Sequence, residues 1–148
     1  MPTKPNNKLE IREIKNKTEL EECFEIRRKV FVIGQNVLKE LEWDGLDKEA
    51  DHIVVKEGKQ AVGCARIRFF DKTKAKLERI AILPEYRCKG YGKLLVRFMI
   101  DYCKKKKASV ITMHAQYYLL EYYKKLGFVP FGKKFEEAGI EHIEMRIE

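Results

Sequence analysis

The chain has 148 residues, 45% of them hydrophobic and 36% charged, which fits one globular domain and excludes a disordered or collagen-like chain. A domain of this length buries roughly 70% of the surface its unfolded chain exposes, so it needs no metal or disulfide staple. Lys and Arg number 31 against 23 Asp and Glu, and the net charge of +8 favours an anionic partner: a phosphorylated cofactor, a nucleic acid or a membrane surface.

In chain order, residues 1–8 read as a flexible tail and 9–148 as a single domain. KLEIREI alternates as a first strand. NKTELEECFEIRRKVFV follows as a helix, with Thr18 and Glu21 at capping-box spacing and Leu20, Cys23, Phe24, Arg27, Val30 and Phe31 largely on one face. After an irregular stretch with a short helix, DHIVVKEGKQAVGCARIRFF reads as a hairpin turning at EGKQ. KAKLERIAILP is a further strand ended by Pro84. Lys89 to Lys105 is a strong helix of about 25 Å, its apolar residues Leu94, Leu95, Phe98, Met99 and Tyr102 at the 3.6 period. ASVITMHA reads as a buried strand, YYLLEYYKKLG as a helix closed by Gly127, and two strands around EEAG finish the chain. The order β-α-(α)-β-β-β-α-β-α-β-β indicates α/β or α+β, a mixed, mostly antiparallel sheet of about seven strands flanked by about four helices.

Cysteines 23, 64, 88 and 103 stand singly and His52, His114 and His142 are scattered, so spacing points to no metal site. Unpaired thiols and a first segment, MPTKPNNKLE, without an apolar core favour the cytoplasm. No apolar run approaches the ~20 residues of a membrane span.

The informative stretch is PEYRCKGYGKLL, a glycine turn at the mouth of the strong helix. A P-loop fails here: Arg87 stands where its first glycine belongs and Leu94 where a magnesium-binding hydroxyl belongs. A dinucleotide fingerprint lacks its third glycine, replaced by Leu95. Arg87-x-x-Gly90-x-Gly92, after a strand ending AILPEY, resembles motif A of the GNAT superfamily of acyltransferases, which use acetyl-CoA. YYKKLGF, with Tyr122-Tyr123 and then Gly127-Phe128, resembles the second signature of that superfamily. The resemblance covers roughly residues 9–147 and implies the GNAT fold.

It also implies a cofactor site. Gly90 and Gly92 let the backbone approach the pyrophosphate of CoA, and the first amides of the helix point at it. Arg87, Cys88, Lys89, Tyr91 and Lys93 complete the cradle, with Arg87, Lys89 and Lys93 supplying positive charge. Ile80, Ala81 and Ile82 follow the pantetheine arm, a backbone amide near Ile82 holding the thioester carbonyl. Cys88 departs from the family, which often has glycine there, and its Cβ is expected to crowd the phosphate.

The implied reaction is direct attack of a primary amine, of a small molecule or peptide, on acetyl-CoA in a ternary complex. Tyr123 matches the general acid that protonates the departing thiolate. Glu78, two residues before Ile80 and on the same alternating face, is a candidate base, with a salt bridge to a neighbouring Arg or Lys as its other reading. His114, on the strand nearest the thioester, is a second candidate, with a structural hydrogen bond as its other reading. Trp43 and Asp44 are expected near the acceptor, and Glu40, Glu42, Asp44 and Asp47 are able to make that pocket acidic. A non-catalytic acyl-CoA-binding module of the same fold would use the same cradle; loss of turnover in Tyr123→Phe separates the two. Dispersed cations without interleaved aromatics disfavour nucleic acid, and the family resemblance allows a homodimer.

Overall fold

The computed structural model describes residues 8–148. Most of the expected tail, residues 1–7, lies outside the described residues. Lys8 already joins the domain, its carbonyl accepting from Gly58 N–H at 3.0 Å.

Seven strands form one sheet: β1 (Leu9–Glu13), β2 (Asp51–Glu57), β3 (Gln60–Phe70), β4 (Lys74–Ile82), β5 (Val110–Gln116), β6 (Val129–Glu137) and β7 (Ile140–Ile147), ordered β1-β2-β3-β4-β5-β7-β6. Among the described residues only β4 and β5 pair in parallel. The α-helices among them are α1 (Lys17–Arg27), α2 (Lys39–Glu42), α3 (Tyr91–Lys105) and α4 (Leu120–Lys125). None of the helices among the described residues is long and apolar enough to cross a membrane.

The cap of α1 is not Thr18. Asn16 takes that place: its backbone is extended and its Oδ1 accepts from Glu19 N–H at 2.9 Å. Glu19 accepts in return from Lys15 N–H, the residue before the cap, at 2.8 Å, so a variant of the capping box lies two residues earlier than Thr18 and Glu21 suggest. Past Arg27 the helix widens into a π-helical segment over Arg28–Ile33.

Helix α3 begins at Tyr91, two residues later than its periodicity suggests, because Cys88 and Gly90 both take positive φ, 64° and 81°. Its buried face is Leu95, Val96, Met99, Ile100 and Cys103, while Leu94 points to solvent. This face covers the sheet over β1, β2 and β4, in one core with Ile53, Val55, Ala75 and Leu77 and with Ile67 of β3. Each such aliphatic side chain contributes about 1.5–3 kcal/mol on burial. A smaller core of Cys23, Ile26, Val30, Val54, Cys64 and Ala81 lies on the other face beneath α1. The two cores fix which side of each strand is which.

Candidate active site

Strand β4 carries the central irregularity. Against β3, Cys64 pairs with Ala81 but Arg66 pairs with Glu78, so β4 holds one extra residue between them. Arg79 has φ +55°, the left-handed conformation that one type of bulge takes and that glycine usually fills. The bulge inverts the alternation. Leu77 belongs to the core under α3, and so do Ile80 and Ile82. Glu78 shares the opposite face with its cross-strand partner Arg66, so the expectation that Glu78 and Ile80 face the same way is corrected.

Beyond the bulge the sheet opens. Parallel pairing runs from Lys74–Val110 to Leu77–Met113 and stops, although β4 continues to Ile82 and β5 to Gln116. A cavity of about 880 Å³ lies at the opening. Leu83 N–H bonds Val62 O on β3 at 2.9 Å, so by the alternation of backbone groups along a strand Ile82 N–H points into the gap. The Ile82 carbonyl accepts from Arg87 Nε at 2.9 Å, tying the glycine turn back to the strand end.

Of the thirteen residues anticipated for the site, twelve line this cavity: Tyr123, Glu78 and His114, then Ile80, Ala81, Ile82, Arg87, Cys88, Gly90, Tyr91, Gly92 and Lys93. Lys89 is the exception. Its ammonium sits over the rings of Tyr86 and Tyr91, 5.2 and 5.9 Å from their centroids. At Gly90 a Cβ would meet nothing within 4 Å, leaving open space before the first turn of α3. The donor set suits a pyrophosphate: a fifteen-residue helix presents its N-terminus there, flanked by Arg87 and Lys93. Cys88, exposed and left-handed, occupies a conformation that favours glycine.

Tyr123 is 6% exposed, edge-on to Tyr122 and Phe128 at 5.1 and 6.0 Å. Burial, then the neighbouring Tyr122 and Tyr118, push its phenol well above the ordinary 10, so it stays protonated. Tyr122 Oη lies 3.5 Å from where a Gly92 Cβ would stand, an ordinary contact distance that brings Tyr122 up against the glycine turn.

Glu78 is held by arginines. Arg68 Nε donates to it at 2.7 Å, Arg66 Nη2 at 2.9 Å and Arg66 Nε at 3.1 Å, with Lys76 at 3.4 Å. Burial alone would raise its carboxyl; the bond from Arg68 and the charges of Arg66, Lys76 and Arg68 outweigh that and hold it at about 2. A carboxylate so stabilised is a weak proton acceptor.

The acids after α1 are similarly engaged. Arg27 binds Glu42 and Asp47, Arg66 binds Asp44 and Asp47 at 2.9 and 3.0 Å, and Arg79 reaches Asp44 at 3.1 Å. Glu42, Asp44 and Asp47 therefore do not make the pocket acidic, and Glu40 stands exposed without lining it. Asp44 lines the cavity; Trp43 does not, lying instead against Phe24 at 5.2 Å and under the Arg27 guanidinium at 4.7 Å.

His114 Nδ1 lies 2.8 Å from Glu137 Oε1, and its ring meets Phe135 edge-on at 4.9 Å. Glu137 and Arg79 are among the site residues that sequence reasoning missed. No local pattern links Glu137 to a histidine 23 positions earlier, and a bulge shows only when two strands are paired.

Residues 16–148 match the family model of the acetyltransferase (GNAT) domain. The chain belongs to the GNAT acetyltransferase family. Among its relatives is the uncharacterized N-acetyltransferase YjcF of Bacillus subtilis (strain 168), 39% identical over 132 residues, covering 88% of this chain and 94% of that protein. The GNAT fold is shared with the crystal structure of Escherichia coli ElaA, at a TM-score of 0.84 and 24% identity over 95% of this chain and 100% of that one. It is shared too with a GNAT family acetyltransferase from Elizabethkingia anophelis with acetyl-CoA bound, at a TM-score of 0.76 and 17% identity, covering 97% and 99% of the two chains. The element order and the single mixed sheet are thus those of the GNAT fold.

Proposed function

We propose that the protein transfers the acetyl group of acetyl-CoA to a primary amine of a small molecule or peptide, by direct attack in a ternary complex. One observation carries this reading: the opened β4–β5 gap, the open glycine turn at the head of α3 and the buried Tyr123 line one continuous cavity. The acetyl-CoA bound by the Elizabethkingia anophelis protein of the same fold supports acetyl-CoA as the donor.

Acetyl-CoA supplies an activated thioester. The turn from Arg87 to Lys93 binds its pyrophosphate, with backbone amides and the α3 dipole opposing the phosphate charge. Ile82 N–H, aimed into the gap, donates to the thioester oxygen as negative charge develops there. Tyr123 gives its proton to the sulfur as the carbon–sulfur bond breaks. Its raised pKa keeps the phenol in the donating form through neutral pH. His114 is the better placed of the two candidate bases, since Glu78 is closed off by Arg66 and Arg68. The pairing of Glu42, Asp44 and Asp47 with Arg27, Arg66 and Arg79 argues against a highly cationic acceptor.

The test is thiol release from acetyl-CoA across a panel of primary amines, with wild type and Tyr123→Phe. Turnover should fall about a hundredfold in the variant, at unchanged acetyl-CoA KM. Acetyl-CoA binding without release for any amine would favour a non-catalytic module.

A further inference from the structure

His114 begins the open part of β5 and Glu137 ends β6, so two strands separated in the sheet by β7 bring their side chains together over the cavity. A carboxylate has no proton to give at neutral pH, so across the 2.8 Å contact Nδ1–H of His114 must be the donor. Neutral imidazole carries one N–H; with Nδ1 protonated, Nε2 has a free lone pair. Phe135 stands edge-on to the imidazole at 4.9 Å and is itself stacked on His142 at 6.0 Å, which limits how far the His114 ring can tilt. His142 is already committed, its Nδ1–H donating to Ile140 O at 2.7 Å.

The surroundings favour a charged Glu137. The hydrogen bond from His114 lowers its carboxyl against the opposing effect of burial, and Lys76 and His142 add to the lowering. An imidazole backed by a carboxylate is a proton acceptor whose resulting cation has a partner ready. Glu78 has no such freedom, because Arg66 and Arg68 occupy its oxygens.

We propose that Glu137 is a positioning residue that holds His114 in the Nδ1–H tautomer, so that His114 Nε2 takes the proton of the attacking amine. The inference rests on the acetyl-transfer reading above. The amine nitrogen bonds the thioester carbon and gives its proton to Nε2, while the imidazolium charge is balanced by Glu137. The carbon–sulfur bond breaks and the sulfur takes the Tyr123 proton. The proton on His114 then returns through water to the Tyr123 oxygen, leaving an amide, free CoA and both side chains as they began.

The experiment pairs imidazole ¹⁵N NMR with steady-state kinetics on wild type, Glu137→Ala, Glu137→Gln and His114→Gln. The signals of His114 are assigned by their loss in the last variant. Wild type should show Nδ1 protonated and Nε2 bare at pH 8. Glu137→Ala should move the ring toward the Nε2–H tautomer and lower kcat about tenfold or more, as loss of an orienting partner does elsewhere. Glu137→Gln, whose amide oxygen still accepts from Nδ1–H, should keep the tautomer and recover part of that loss. His114→Gln should cost about a hundredfold in kcat, with acetyl-CoA KM unchanged throughout. An Nε2–H tautomer in wild type, or wild-type kcat in Glu137→Ala, would overturn the proposal. Wild type that binds acetyl-CoA yet acetylates no amine would instead sink the acetyl-transfer reading and take this role with it.

Discussion

Glu78 and Ile80, two residues apart on β4, face opposite sides of the sheet. An unbroken strand would put them on one side; the left-handed bulge at Arg79 separates them. Ile80 is thereby delivered to the α3 core and the cavity wall, and Glu78 to the buried guanidinium of Arg66. The bulge lies just past the last β4–β5 pair, Leu77–Met113, so the opening and the turned acid sit side by side on β4.

Glu78 should accordingly matter more for stability than for turnover. Its carboxyl falls from the ordinary 4.5 to about 2 in the folded protein, which corresponds to roughly 3 kcal/mol at pH 7. A carboxyl depressed on folding stabilises above its unfolded pKa and ceases to as the pH drops through the folded one. Urea unfolding should therefore show Glu78→Gln less stable than wild type by up to that amount at pH 7. The gap should narrow between pH 4.5 and pH 2. Its kcat should stay within about threefold of wild type, against the hundredfold or more that loss of a general base brings.

Cys88 tests the cradle from the other side. Its φ of +64° puts a Cβ where the backbone favours none, a cost of about 1–2 kcal/mol partly offset by the stiffer unfolded chain. Cys88→Gly should raise Tm by about 2 °C, at roughly 2–4 °C per kcal/mol for a domain of this size. It should also tighten acetyl-CoA binding, read by isothermal titration. Weaker binding in the glycine variant would show that the thiol side chain assists the ligand and does not crowd it.

Tyr123 is buried and its phenol is shifted upward. A phenol raised on folding favours the folded state at every pH below its unfolded value near 10; above that the contribution is lost as the solution approaches the folded pKa. kcat should show no alkaline decline from this group below pH 10. A pH-rate profile of wild type against Tyr123→Phe measures it, and a wild-type decline centred near pH 8 and absent from the variant would assign the proton to a different tyrosine state than the one described.

Gln35 and Gln116 meet across the cavity, Gln116 Nε2 donating to Gln35 Oε1 at 3.0 Å. The bond joins the segment after the π-helical turn to the end of β5. Gln35→Ala should change the amine KM by several fold while leaving acetyl-CoA binding nearly unaffected and lowering Tm by no more than about 2–4 °C, since an exposed or half-buried neutral bond contributes only about 1 kcal/mol. Product formation at varied amine and saturating acetyl-CoA is the measurement.

Much of this site was legible because its signals are local. The turn from Arg87 to Gly92 lies within six consecutive residues, and Tyr123 and Gly127 lie within one short helix and its exit. Hairpins at Gly58 and at Ala138–Gly139 also announce themselves through turn chemistry. What stayed hidden depends on pairing between distant segments. Asn16 caps α1 in place of Thr18 because the strand before it leaves the chain extended there. Glu42, Asp44 and Asp47 look like pocket acids until Arg27, Arg66 and Arg79 are seen against them. The partnership of Glu137 with His114 exists only through the order β5-β7-β6.

The central claim, that the turn before α3 is a CoA pyrophosphate cradle feeding the β4–β5 gap, is tested most directly by a thermal-shift titration with acetyl-CoA, CoA and ATP on wild type and Gly90→Trp. A Gly90 Cβ meets nothing within 4 Å, so the indole would enter open space. The variant should fold at a cost of about 1–2 kcal/mol for its left-handed backbone. At a hundred times its Kd, acetyl-CoA should stabilise wild type by about 2.7 kcal/mol, a rise of roughly 5–10 °C. CoA should act similarly and ATP little, and the variant should respond to none of them. No shift with acetyl-CoA, or an equal shift with ATP, would contradict the cradle and the activity built on it.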